Sequence, residues 1–524
     1  DGWTVEDGDC NDHDDTAYPG AEELCDGIDQ DCDGTADEGL DEPTWYLDVD
    51  GDGYGDPASG VTRCEQPSGT SPHGTDCDDA DPAVHPGATD PCDGIDQDCD
   101  GTPGTGVWFD DGTVALDHTA DFAAGTEESP HVALIQADGT LYVCPGTWFA
   151  RVANGAADLT IQGAGASTTA LDGAFAGTVV GSGATTLTVR DITLQRGTTG
   201  IATSGTSVVT LVDSVVTGNQ ATSQDAVGIR MVGQLDLRGS RVEDNHASHT
   251  LYSSNACYGG GIQVHGSLVA TDSVIADNRL TCNAWHVTYT AGVAHGGGFY
   301  VTDRVELVDS EVRGNALEVS VSGGHAEARG GGGFAADGLW LDGTTVQDNT
   351  VTTGIWCSTQ GCDGYGAGAG ITTLGSAEVV GSTIRGNTLV DQLEPYHPDL
   401  GGESTLRGAG LDVDRDLALT DSIVDDNAFD RSASQAITWV LEGAGAAAQG
   451  VVRCEDTGAG AGFRGNDPTG LHWSSTTDTL TSVGCDWGTA GVDDNASGDV
   501  VGTVRWDADG AQSVVCDGPT ATCL

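Results

Sequence analysis

The chain contains no lysine and a single methionine, and its 18 basic residues, all arginine, face 82 acidic ones for a formal net charge of −64. A surface of that sign repels nucleic acid and anionic membranes, so neither is an expected partner. It attracts divalent cations. The same lysine-poor, acidic composition also suits a salty habitat, and composition does not separate the two. Aromatic residues are scarce, at 6%. No run is apolar over the roughly 18 residues that a membrane-spanning helix needs, so no membrane insertion is expected. No signal peptide opens the chain. Yet the 16 cysteines, an even number, point to disulfides, an oxidising compartment and therefore export to the outside of the cell or its surface. Asp1-Gly2-Trp3 resembles Asp52-Gly53-Tyr54, the second half of an acidic loop, so the chain is expected to begin inside a repeat.

What the sequence does contain is a twelve-residue line, repeated without gaps as Val208–Asn219, Gln234–Asn245, Ser267–Asn278, Arg304–Asn315, Gly338–Asn349, Ser376–Asn387 and Asp416–Asn427. The second and fourth places are mostly large and apolar, the seventh is Ser or Thr, the ninth is Val or Ile and the twelfth is always Asn. Alternation of period two means strand with one buried face, and no helical stripe occurs in these lines. Gly-rich strands precede most of them, such as Gly259-Gly260-Gly261-Ile262 and Gly296-Gly297-Gly298-Phe299. One such unit cannot bury its own apolar face, so neighbours must stack into a solenoid. In register, the Asn side chains can bond along the axis as a ladder, and Asn also tolerates a left-handed corner. The spacing between lines varies while the lines do not. The extra residues are therefore expected as loops on one face, a common binding face in solenoids. They hold Tyr252, Trp285, Tyr289, Trp356, Tyr365 and Tyr396, which suit glycan or protein contacts as well as loop packing. They also hold His246, His249, His286, His295 and His325, too scattered for an expected metal site. Gly163 and Gly165 lack the Lys-Ser/Thr of a phosphate loop and are expected in turns.

Residues 1–106 differ in kind. They have hardly any apolar side chains and must be held by disulfides and metal. They contain a duplication: Asp9-Cys10 to Cys32-Asp33-Gly34 matches Asp76-Cys77 to Cys99-Asp100-Gly101 without a gap. Asp48, Asp50, Asp52, Tyr54 and Asp56, with Gly53 at the sixth place, follow the first part of an EF-hand calcium loop, but Ser59 stands where the bidentate Glu belongs. Asp29, Asp31, Asp33, Thr35 and Asp37 repeat the pattern, and Asp96, Asp98, Asp100 and Thr102 repeat it less completely. Asp7, Asp9, Asp12 and Asp14, and Asp76, Asp78, Asp79 and Asp81, are further candidate ligands. Hard oxygen donors in flexible loops suit several calcium ions better than zinc or copper.

The D-C-x-D, P-G-A and C-D-G-I-D-x-D-C-D-G elements of this region resemble the metal-binding motif repeats of secreted and surface proteins of the myxobacterial type. The resemblance implies an extracellular, calcium-loaded, disulfide-linked module and no particular activity. Thr140 to Trp148, Leu159 to Gly165 and Thr169 to Gly173 resemble the opening coils of right-handed parallel β-helices of the pectate-lyase-like superfamily. The expected architecture is thus all-β: calcium-binding repeats over 1–106, a right-handed parallel β-helix over 107–450, and a last coil with a disulfide-bonded cap over 451–524. Cys257 with Cys282, Cys357 with Cys362, Cys454 with Cys485 and Cys516 with Cys523 are plausible pairs. The first module holds seven cysteines, and Cys144 is the nearest partner for the odd one unless another segment or subunit supplies it.

Two functions fit. One is an extracellular structural or adhesive protein, stabilised by calcium, that assembles with itself head to tail or binds a surface glycan or protein. The other is a carbohydrate-active enzyme of the β-helix type. Elimination on a uronate needs a strong base and cationic neutralisation, and the absence of lysine and of polygalacturonase-like patterns makes a non-enzymatic role the expectation. Acid pairs such as Asp425-Asp426 are too common in so acidic a chain to mark a catalytic pair.

Overall fold

The computed structural model describes residues 2–88, 90, 92, 95–101, 104–221, 227–250, 256–284, 291–322, 325–357, 362–395, 402–431, 437–442, 444–449, 451–455, 457, 462–464, 466, 471–473, 480–483, 500–501, 504–508, 512–517 and 522–523. The chain divides into two compact units, Asp1–Gly106 and Val107–Leu524. Among the described residues no helix is long and apolar enough to cross a membrane.

The second unit is a parallel β-helix. Each coil passes through a long sheet and turns into a corner sheet, and the later coils also run outward through a third sheet and return through a fourth. The repeated lines stack place on place. Val209, Leu235, Leu268, Val305, Leu339, Ala377 and Leu417 are successive partners in the long sheet. Val216, Val242, Ile275, Val312, Val346, Ile384 and Val424 are successive partners in the corner sheet. These two columns face each other across one continuous apolar core. At the first end, Val107–Asp110 adds an antiparallel strand to Gly139–Val143, and the short helix Thr119–Ala123 buries Phe122 in the core. Antiparallel Val504–Ala508, Gln512–Asp517 and Thr522–Cys523 form a small sheet near the C-terminus.

The described parts of the segments between each Asn and the next Gly-rich strand are largely strands rather than loops. They form the outward and return sheets, which begin at Gln220–Ala221 and Ala256–Tyr258 and enclose a second apolar core of their own. Periodicity missed them because their composition is mixed. In Ala316–Val321 and His325–Arg329 only alternate residues need be apolar, and Ala serves as often as Leu.

Between the two cores lies a narrow waist, where the outgoing chain is Asn and the returning chain is Gly. Asn278 Nδ2 donates to Asn315 Oδ1 at 3.0 Å, Asn315 to Asn349 at 3.0 Å, Asn349 to Asn387 at 2.9 Å and Asn387 to Asn427 at 2.9 Å. Each Oδ1 also accepts the backbone N–H of the Asn one coil before, as Asn315 Oδ1 does from Asn278 at 3.1 Å. The second amide hydrogen reaches a backbone carbonyl, as from Asn315 Nδ2 to Ile275 O at 2.8 Å. A fully buried amide is thereby satisfied on every side. A Cβ on Gly298 would overlap the Gly332 carbonyl and the Asn315 side chain, so only glycine lets the return strand pass. The Ser/Thr column does similar work at the other corner: Ser273 N donates to Ser310 Oγ at 3.1 Å, and Ser310 Oγ donates back to Val308 O at 2.8 Å. The left-handed corners fall one place earlier than expected. Asp244, Asp277, Asp348 and Asp426 take positive φ before the Asn, and Asp213, Asp272, Asp309 and Asp421 take it before the Ser. The Asn is there for its amide, not for its backbone.

Where the return sheet meets the long sheet, outward-facing side chains are buried as well, Phe334, Thr372 and Asp412 among them. An ion network runs through this crevice. Arg329 Nε donates to Glu327 Oε1 at 2.8 Å and its guanidinium lies 4.6 Å from the Tyr365 ring centroid. Arg407 pairs with Asp412 at 3.0 Å and Asp414 at 3.1 Å. The His295 ring, 3.6 Å away, and the charge of Arg329 hold the Glu327 carboxyl down at about 2, while burial pushes the Tyr365 phenol up to about 12.

Two outcomes are expected. Asn315→Ala leaves two buried donors of Asn278 without an acceptor and lowers stability by about 2–4 kcal/mol in denaturant melts. Glu327→Gln loses stability at neutral pH. A folded-state pKa depressed from 4.5 to about 2 gives stability that is complete above the ordinary value and disappears as pH falls through the depressed one. The difference in melting temperature between the variant and the unsubstituted chain should therefore shrink as pH falls from about 5 toward about 2.

Candidate metal centre

In the first unit, burial of apolar side chains is confined to small residues such as Ala17 and Val84, equivalent positions in the duplication. A three-stranded antiparallel sheet joins Thr44–Leu47 to Val61–Thr62 and Thr70–Ser71. Disulfides Cys10–Cys32 and Cys77–Cys99 close equivalent rings in the two copies, and Cys25–Cys64 ties the first copy to the segment after it. Cross-links of this kind restrict the unfolded chain where a core is missing.

The acidic loops fold around their own carboxylates. Asp29 Oδ2 accepts from Gly34 N at 3.0 Å, and Asp96 Oδ2 accepts from Gly101 N at 2.9 Å, the same wrap in both copies. Asp48 accepts from Gly51 N at 2.7 Å, Asp50 from Asp52 N at 3.2 Å and Asp52 from Tyr54 N at 2.8 Å. Gly53, at the sixth loop place, has φ +100°, which a side chain resists. Asp48, Asp50 and Asp52 each commit Oδ1 to the loop, and Oδ2 of Asp50 and Asp52 stays buried without a hydrogen-bond partner.

Five triplets of carboxylates result, each with ligand oxygens within 4.8 Å of one another: Glu23, Asp31 and Glu38; Asp29, Asp31 and Asp33; Asp48, Asp50 and Asp52; Asp50, Asp76 and Asp79; and Asp90, Asp96 and Asp98. Asp76 is 2% exposed, and its Oδ2, like Oδ2 of Asp50 and Asp52 and Oε2 of Glu38, is buried without a hydrogen-bond partner. Burial pushes the Asp50, Asp76 and Asp90 carboxyls above their ordinary range, and the neighbouring aspartates push them further. A bound divalent cation removes both penalties, and an all-oxygen donor set fits a hard one. The residues present therefore fit a metal.

Not every expected ligand joins a triplet. Asp37 accepts from Asp26 N at 3.0 Å and Gly27 N at 2.9 Å and serves a turn. Asp56 caps Ala58 N at 2.8 Å, and Asp7 accepts from the Thr4 hydroxyl at 2.7 Å. Asp14 accepts from Thr16 hydroxyl and N, which lower its pKa, and Asp81 accepts from Ala83 N at 3.1 Å. Asp9 is buried like its equivalent Asp76, with Oδ2 unpartnered. Asp12, Asp78 and Asp100 enter no triplet among the described residues. The Tyr54 ring stacks on His85 and is tilted against His73, with centroids at 5.3 and 5.5 Å, and Thr35 N donates to Asp33 at 2.9 Å. Thr102 lies outside the described residues. Glu23, Glu38 and Asp90 were missing from the sequence pattern. Glu23 and Asp90 could have been found, since an acid precedes the cysteine by two places in both copies.

Elsewhere, Cys257 and Cys282 are bonded, joining a return strand to the next outward strand. Cys92, Cys144 and Cys454 are each in a disulfide. Cys516 and Cys523 are cross-strand partners. Cys485 and the side chains of Cys357 and Cys362 lie outside the described residues. Among the described residues no cluster contains histidine: His295 lies 3.6 Å from Glu327 and His249 is buried. Trp356 is exposed and Tyr365 is half-buried under Arg329, while Tyr252, Trp285, His286, Tyr289 and Tyr396 lie outside the described residues.

Two segments of this unit, residues 9–38 and 76–103, match the copper-binding MopE family model, described as a "Putative metal-binding motif". No curated protein and no solved structure matches the chain. The matched segments hold four of the five triplets in whole or in part, and the loop at Asp48 to Asp52 lies between them.

Asp29→Asn should lower the number of divalent metal ions bound per chain, counted by native mass spectrometry, whereas Asp37→Asn should leave it unchanged.

Proposed function

We propose that this is an extracellular structural or adhesive protein, in which calcium stabilises the acidic repeats and the β-helix acts as the load-bearing or partner-binding body. One observation carries the reading: buried, unpartnered carboxylate oxygens are gathered into triplets in a unit that has almost no apolar core. Calcium is favoured over copper because the clusters contain only carboxylates, with no imidazole, thiolate or thioether. The disulfides are consistent with secretion. A solenoid has unlike ends, and a head-to-tail contact that does not close on itself builds a filament or surface layer. A surface glycan or another protein is the other partner of choice.

A second reading, a carbohydrate-active enzyme of the pectate-lyase-like type, has one feature in its favour. An open groove of about 470 Å³ on the long sheet is lined by Arg304, Arg415 and Arg453 together with Glu378 and Asp416. Turnover of an acidic polysaccharide that is lost in Glu378→Gln, with the melting temperature unchanged, would favour it.

Two experiments test the first reading. Calcium in about 100-fold excess over its Kd should stabilise the first unit by about 2.7 kcal/mol per site, and chelator should remove the gain. An unchanged melting curve sinks the calcium assignment. Electron microscopy should show chelator-sensitive assemblies, and monodisperse monomers in calcium would count against self-association.

A further inference from the structure

The carboxylates around Asp50 come from two places: Asp48, Asp50 and Asp52 from the loop outside the matched motif, Asp76 and Asp79 from inside it. Asp48, Asp50 and Asp52 approach one another within 4.8 Å, and so do Asp50, Asp76 and Asp79. The five do not merge into one set, and Asp50 is the member the two triplets share. The backbone fixes this arrangement. Asp79 Oδ1 accepts from Val49 N at 2.9 Å, Asp76 N donates to Gly55 O at 3.2 Å, and Asp76 Oδ1 accepts from Asp78 N at 2.9 Å. Oδ2 of Asp50, Asp52 and Asp76 is left buried and unpartnered, and Asp76 as a residue is 98% buried. Among the described residues no arginine or histidine forms a salt bridge with any of the five.

Charge decides between one ion and two. Five ionised carboxylates carry −5; one divalent ion leaves −3 at short range, and two leave −1. Like charges packed this closely and partly out of water repel strongly unless cations lie between them. The ligand oxygens of the five do not all lie within 4.8 Å of one another, which is the span across one calcium ion at a ligand distance of about 2.4 Å, and a single carboxylate oxygen has lone pairs for two ions.

We propose that this is a dinuclear calcium centre in which Asp50 bridges two ions, one held with Asp48 and Asp52, the other with Asp76 and Asp79. Cation binding then fastens the intervening loop to the second copy of the motif. The proposal rests on the calcium reading above and goes further, since a mononuclear site would also satisfy that reading.

The test is an ion count on the full chain, stripped with chelator and titrated with calcium, by native mass spectrometry. Asp50→Asn should lose two ions, and Asp48→Asn and Asp79→Asn one each. Loss of one ion or none in Asp50→Asn overturns the bridge. Absence of any bound calcium in the unsubstituted chain overturns the calcium reading instead, so the two failures are distinguishable. Manganese supplies a readout that does not depend on Asp50→Asn folding. Electron paramagnetic resonance of the Mn2+-loaded chain should show a coupled-pair signal that weakens in Asp48→Asn, and a pair signal that is absent or unaffected by that substitution overturns the proposal.

Discussion

The side-chain amide of asparagine has a donor and an acceptor that point in opposite directions, and the β-helix depends on that fact. Stacked one coil apart, each amide gives a hydrogen to the next and receives one from the last, with further bonds to backbone groups of neighbouring coils. The column is buried between two apolar cores, where an unmatched amide would cost several kcal/mol. Such a column tolerates no slip. Moving one coil by a residue would orphan two amides and turn a whole apolar face outward. The constancy of the twelve-residue line follows from this, as does the row of glycines that lets the returning chain pass the amides at backbone contact.

The solenoid was legible because its constraint repeats. The apolar second and ninth places, the Ser/Thr column and the Asn column each occupy a fixed register, and the structure stacks them in that register. The outward and return sheets were not legible. Their strands use Ala, Thr and Ser as freely as Val and Leu, so no fixed period marks them. The left-handed corners were visible in outline and misplaced by one residue. Asp and Gly alternate there, as at Asp309 and Gly343, because both accept positive φ, and that shared property hides the column from a search for identical residues.

The acidic unit was legible as a class of chemistry and less so atom by atom. Loop spacing placed Asp29, Asp31, Asp33, Asp48, Asp50 and Asp52 around their centres because one turn of a tight loop fixes all three. It could not show that Asp50 also meets Asp76 and Asp79, since that meeting depends on a fold between segments far apart in sequence. Nor could it separate ligands from turn-formers. Asp37 and Asp56 have the same side chain and the same spacing logic, but each gives an oxygen to backbone N–H groups and joins no triplet among the described residues.

The lobe built by the outward and return sheets is an addition to the solenoid, with outward strands from Gln220–Ala221 to Ala428–Arg431 and an apolar core of its own. Amide exchange should accordingly be slowest at the buried, hydrogen-bonded columns of the waist. Lengthening a coil at the lobe tip leaves the waist untouched, which gives the solenoid a place to gain residues, and new surface, without altering its repeat.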